Sequence, residues 1–188
     1  MSDSLRGKFL IAVPKMKDAN FFKSVVLMVE HGPDGAMGLV VNHPSSTTVA
    51  RALKGHFDLP ENNDYVYTGG PVEPAALFMI HDSQELDPTE NPVVDGLFMG
   101  SSAAIFEEVI RSTIDEKRDI RFRIFSGCSG WGPNQLEGEM ERGDWLTVDA
   151  QSALIFAPDA YSVWDSAYQS AQAAHRLLDL DCQHPDWN

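Results

Sequence analysis

Two apolar runs dominate the first quarter of the chain: SVVLMVEH (Ser24 to His31) and AMGLVVNH (Ala36 to His43), separated by GPDG. Such a break between two apolar segments is a hairpin signal, here with a Gly-bearing loop of four residues. Neither run alternates apolar with polar residues, as a strand with one wet face does. Both strands are therefore expected to be covered on both faces.

The remaining pattern mixes strands and isolated helices. Strands are expected at Lys8 to Val13, ended by Pro14, at Tyr65 to Pro71 and Ala75 to Asp82 around a Gly-Gly-Pro turn, and at Gly96 to Gly100. IRFRIF (Ile120 to Phe125) alternates and reads as a strand with one wet face, and Trp145 to Ala150 adds another. Ile105, Phe106, Val109, Ile110 and Ile114 recur at helical spacing, so Ser102 to Glu116 is expected to be a helix capped by Ser101 or Ser102. Thr48 to Lys54, with Thr47 or Thr48 as cap, and Ser162 to Leu180, with Trp164, Tyr168, Ala171 and His175 on one stripe, complete the set. Strands without regular βαβ alternation indicate an α+β fold.

At 188 residues the chain suits one domain spanning 1–188. No apolar run approaches the ~20 residues needed to cross a bilayer, and KFLIAV is too short for a signal-peptide core, so a cytoplasmic location without membrane contact is expected. Cys128 and Cys182 form no disulfide framework and no CxxC pair. With 28 acidic against 14 basic residues the net charge is -14, a balance that repels phosphate backbones. The basic cluster of Arg111, Lys117, Arg118, Arg121 and Arg123 is interleaved with Asp115, Glu116 and Asp119, and reads as a solvated helix end and strand.

In FSGCSGWGPNQLEGEMERGDWL (Phe125 to Leu146), Gly127-Cys128-Ser129-Gly130 has the look of a nucleophile-bearing turn between strand and helix. The G-x-S-x-G pattern fails because Trp131 stands where its last glycine belongs. Pro133 at the first helical position, Gly132 as cap, Gln135 reaching back to it, and Trp131 stapled to Leu136 account for most of the segment structurally. Gly143 is placed to stop the helix, and Glu137, Glu139 and Glu141 are expected to project away from its apolar stripe. The histidines give no metal site: His31 belongs beside the hairpin turn and His43 at its far end near Ser24, and His81-Asp82 lacks further recognisable ligands. Gly69-Gly70-Pro71 lacks the Lys-Ser/Thr of a phosphate loop and reads as a tight backbone approach.

LIAVPKMKDANFFKSVVLMVEH, GAMGLVVNHP, YTGGPVEP and GCSGWGPNQLEGEMERGDWLT together resemble the YqgE/AlgH family of small bacterial proteins, in the family's order along nearly the whole chain. The resemblance implies a single α+β domain on a bent, mostly antiparallel sheet that curls into a partial barrel flanked by helices. It delivers no reaction. Some members carry a transcriptional-regulator label, but this chain shows no helix-turn-helix with a basic recognition helix. Members commonly carry an aromatic residue where this chain has Cys128, which argues against an obligatory thiol nucleophile.

Where the family-typical segments meet, Asn42, Gly69, Gly70, Glu73, Trp131, Gln135 and Glu137 form the candidate surface for a small ligand or a peptide. No catalytic residue, cofactor or metal is assigned. The expectation is a non-enzymatic regulatory or interaction protein acting through an unidentified protein partner or a small ligand. One alternative is a hydrolase using Ser129 or Cys128 with a distant histidine; a second is direct DNA binding. Oligomeric state is left open.

Overall fold

A computed structural model describes residues 4–57, 59, 64–100, 102–114 and 118–181. The apolar runs of the first quarter become an antiparallel meander, β1 (Lys8–Ala12), β2 (Val25–Gly32) and β3 (Gly35–Val40). Their lack of alternation has the expected cause. On β2, Val25, Leu27 and Val29 enter one core while Val26 and Met28 enter a second on the opposite face, and all are essentially inaccessible. The loop is shorter than expected. Gly32 pairs with Gly35, so only Pro33 and Asp34 lie outside the ladder.

Beyond the meander follow β4 (Pro44–Thr48), β5 (Tyr65–Thr68), β6 (Val72–His81), β7 (Phe98–Met99), β8 (Phe122–Trp131) and β9 (Trp145–Asp149). Among the described residues the strands form one open nine-stranded sheet, in the order β4-β5-β8-β3-β2-β1-β9, with β6 also on β8 and β7 on β6. All described pairs are antiparallel except β5 with β8. At ten residues β8 is the hub, pairing with β6 along most of its length, with β5 through Phe125 and Ser126, and with β3 through Ser129 to Trp131. This corrects the reading of Gly127 to Gly130 as a turn, because those residues lie inside the strand. Glycine signals a turn only when nothing crosses the backbone close by, and here something does.

Among the described residues five α-helices flank the sheet. Helix α1 (Val49–Ala52) is capped by Thr48, whose side chain accepts from the Arg51 N–H. Helix α2 (Ala103–Ile114) packs Val109 and Ile110 with Val66, Met79 and Ile124 as a third core, and Ser102 accepts from the Ile105 N–H. Helix α3 (Gln135–Glu141) starts two residues later than expected, because Asn134 sits in the left-handed region at φ 59. Its exit is a Schellman motif: Gly143 and Asp144 N–H groups donate to the Met140 and Glu139 carbonyls. Beyond α4 (Ser152–Ile155), α5 (Val163–Asp181) lays Val163, Trp164, Ala167 and Ala171 onto the first core. The Trp164 indole donates to the Ala12 carbonyl at 2.8 Å, joining positions 152 residues apart. Ser101, Lys117, Cys182 and His184 fall outside the described residues.

Candidate functional site

The glycines of the two family-typical segments exist for each other. A Cβ on Gly69 would lie 2.3 Å from the Gly127 carbonyl oxygen, and one on Gly127, at φ +68, would lie 2.6 Å from the Gly70 oxygen. No side chain fits between backbones this close. The segment leaving β5 thus crosses β8 in direct main-chain contact, and Gly69 N–H donates to the Ser126 carbonyl at 2.9 Å. Ser129, fully buried, donates its hydroxyl to the Gly69 carbonyl at 3.1 Å. Cys128 is buried as well, and burial followed by the Glu73 charge pushes its thiol pKa up, away from the thiolate a nucleophile needs. Among the described residues neither has a histidine hydrogen-bond partner. A hydroxyl–imidazole contact among the described residues lies elsewhere, Ser24 Oγ with His43 Nε2 at 3.4 Å, around a serine with no exposed surface.

Next to this crossing lies a groove of about 820 Å³. Trp131, at the end of β8, and Trp145, at the start of β9, stand edge to face with centroids 6.1 Å apart, and Phe21 packs on both at 5.9 and 5.3 Å. Glu139 fixes the indoles. One carboxylate oxygen accepts from Trp131 Nε1 at 2.9 Å and Trp145 Nε1 at 2.8 Å, and the other accepts from Gln135 Nε2 at 3.1 Å. Gln135 in turn accepts from the Gly132 N–H at 3.1 Å, the reach-back expected of it. Charge-assisted bonds of this kind are about twice as strong as neutral ones. One carboxylate thus holds both indoles and Gln135 in a single arrangement. Pro71 and Gly130 continue the wall, and Lys15, Lys17, Asp18, Arg142 and Asp144 form a rim of both signs.

The fold separates the seven candidate residues. Trp131 and Gln135 line the groove, and Gly69 and Gly70 lie at the crossing, beside Pro71 of the groove wall. Glu73 is exposed on β6 with φ 47. Asn42 is elsewhere, buried beside a smaller cleft of about 250 Å³ with Lys23, His43, Pro44, Tyr161 and Trp164. Its amide accepts from Val25 N–H and donates to the Lys23 carbonyl, both at 2.8 Å, which holds Lys23 at φ 51. Glu137 turns the other way, to His31 Nε2 at 3.2 Å, while His31 Nδ1 accepts from the Leu5 N–H. His31 and His43 thus occupy opposite ends of the hairpin, as expected.

Sequence reasoning missed Glu139, Trp145, Phe21 and the Lys15–Asp18 segment. Glu139 was expected to point away from the core, yet it stands four residues beyond Gln135 and so shares its helix face. That spacing was the available signal. No group of three or more His, Cys, Asp or Glu side chains able to hold a metal occurs among the described residues. Nor is any described helix long and apolar enough to cross a membrane.

These features define a class of α+β protein: an open, bent sheet crossed by glycine backbone, with an indole–carboxylate groove beside the crossing. The chain belongs to the AlgH-like family, whose sequence profile matches residues 9–176. It is 34% identical to a UPF0301 protein of Chlorobium limicola, over 99% of this chain and 97% of the relative, and 36% identical to one of Magnetococcus marinus, over 96% of each. The solution structure of the AlgH protein from Pseudomonas aeruginosa superposes with TM-score 0.69 at 32% identity, covering 100% of this chain and 99% of that one. The crystal structure of protein DIP2367 from Corynebacterium diphtheriae shares the fold at TM-score 0.73 and 24% identity, covering 90% and 88%.

Proposed function

We propose that this chain, acting as one domain over 1–188, is a non-enzymatic regulatory or interaction protein of the cytoplasm that holds a partner segment or a small ligand in the Trp131–Gln135–Trp145 groove. The observation that carries the reading is the carboxylate-locked pair of indoles lining a groove of about 820 Å³. Ligand pockets are typically about 300–1,000 Å³, apolar-walled, with a few fixed polar groups. A preorganised wall lowers the ordering cost of association. The net charge of -14 favours basic partners over distances of about a Debye length and disfavours nucleic acid. Among the described residues no histidine hydrogen-bonds Ser129 or Cys128, so the hydrolase alternative draws no support from this geometry.

The test is a crosslinking capture from native lysate, comparing wild type with a Lys15→Ala, Lys17→Ala, Gln135→Ala variant of matched unfolding midpoint. A protein or metabolite held by the wild type and lost from the variant supports the groove. An identical set recovered from both removes it from consideration.

A further inference from the structure

One cluster singled out in the sequence is not absorbed by this function, and its burial differs from expectation. Arg123, expected on a solvated strand, is half-buried on β8. Its guanidinium lies 4.0 Å from the Tyr67 ring centroid, and its two terminal nitrogens donate to the Val41 and Ala157 carbonyls at 3.3 and 3.2 Å. Arg121 lies over the Phe156 ring at 4.9 Å and gives its Nε proton to Asp82 at 2.7 Å. Both arginines, with Tyr65, Tyr67 and Phe156, line a cleft of about 520 Å³ at the β5/β8 end of the sheet.

We propose that this cleft binds a planar aromatic or heteroaromatic monocarboxylate. A guanidinium carries five N–H donors and no acceptor. Among the described residues two of these donors are engaged on Arg123, and on Arg121 the Nε–H is given to Asp82, which leaves further N–H groups on each guanidinium. A cleft walled by rings and supplied with unspent forked donors is complementary to a flat ring bearing an acceptor-only oxyanion, which a guanidinium grips bidentately. Charge sets the valence of that anion. Asp82 and Asp64 balance the two cations, with Asp64 acting electrostatically on Arg123. A polyanion such as a nucleotide meets a locally neutral site inside a protein of charge -14, while a monocarboxylate gains the forks at least electrostatic cost. The half-exposed Tyr65 ring leaves the mouth open to a ring entering from solvent. This site is distinct from the Trp131–Trp145 groove, and its fate does not bear on that reading.

The experiment is a titration of the full-length protein, followed by amide NMR shifts, with naphthalene-2-carboxylate, its uncharged carboxamide, and AMP as the polyanion. Saturable shifts centred on Tyr65, Tyr67, Arg121 and Arg123 are expected for the carboxylate. The carboxamide should bind about ten-fold more weakly, and so should the carboxylate to Arg123→Lys, which keeps the charge and loses the fork. If Arg123→Lys does not fold, Tyr65→Ala at the open mouth takes its place and should weaken binding several-fold. The proposal is overturned by no saturable shift at millimolar carboxylate, by equal affinity for the carboxamide, or by tighter binding of AMP.

Discussion

The backbone crossing at β8 can be tested by adding one methyl group. Gly127→Ala places a Cβ 2.6 Å from the Gly70 oxygen and 2.9 Å from the Val72 oxygen, at φ +68. Two costs arise. An alanine in the left-handed region costs about 1–2 kcal/mol. Overpacking costs about 1–3 kcal/mol, and the clashing atoms are main chain, so no rotamer change relieves it. Gly96→Ala is the matched control: its φ is +71 and nothing lies within 4 Å of the added Cβ. It carries the first cost without the second. Urea and thermal unfolding read by tryptophan emission should therefore place Gly127→Ala about 2 kcal/mol below Gly96→Ala, equivalent to about 4–8 °C for a chain of this size. If the two variants unfold within about 0.5 kcal/mol of each other, the crossing is not close-packed and the account of both glycine segments fails.

Glu139→Gln replaces the shared acceptor with an amide that cannot serve both indoles and Gln135, so a loss of about 2–3 kcal/mol and a collapse of near-ultraviolet dichroism are expected; an unchanged aromatic spectrum would show the clamp to be idle. His81 is fully buried and stacked on Phe98, and burial holds its pKa below the usual 6.5. The unfolded chain therefore takes up protons first. The contribution is intact above pH 6.5 and is lost as pH falls through that value, and His43 acts with the same sign. His81→Phe should flatten the fall in unfolding free energy between neutral pH and pH 5, and an unaltered slope would assign the effect to other groups. In a Cys182→Ser background, Cys128 should react with a thiol reagent at neutral pH at least roughly ten-fold more slowly than free cysteine, and labelling at the free-thiol rate would contradict its burial.

How much was legible depended on whether a signal was local. The meander, the Thr48 cap, the Gly143 stop and α5 follow from periodicity and turn chemistry within a few residues. Pro44 to Thr48 was not read as a strand because it is short, polar and half-exposed, and only its pairing with β5 makes it one. The glycines of β8 were misread because a close main-chain approach leaves the same mark in the sequence as a turn. Arg123 illustrates the converse. An alternating charged strand normally faces water, and nothing local announces that Tyr67 and two carbonyls will enclose the charge. The candidate surface divides in the fold, because Asn42 is spent on the Lys23 and Val25 backbone at another cleft and Glu137 leaves α3 toward His31, on a different face from Gln135.

The pairing of β1 with β9 also sets a timetable for the nascent chain. The meander is complete once Val40 has emerged, yet Trp131, Leu136 and Trp145, which cover one of its faces, and β9, which pairs with its outer edge, come roughly 90–110 residues later. At about 5–20 residues per second, the face of β1 and β2 that carries Leu10, Val26 and Met28 stays uncovered for about 5–22 s on the ribosome. Chains stalled before Trp145 should accordingly be bound by chaperones that keep apolar strands from self-association, and chains stalled with α5 fully emerged should be released from them.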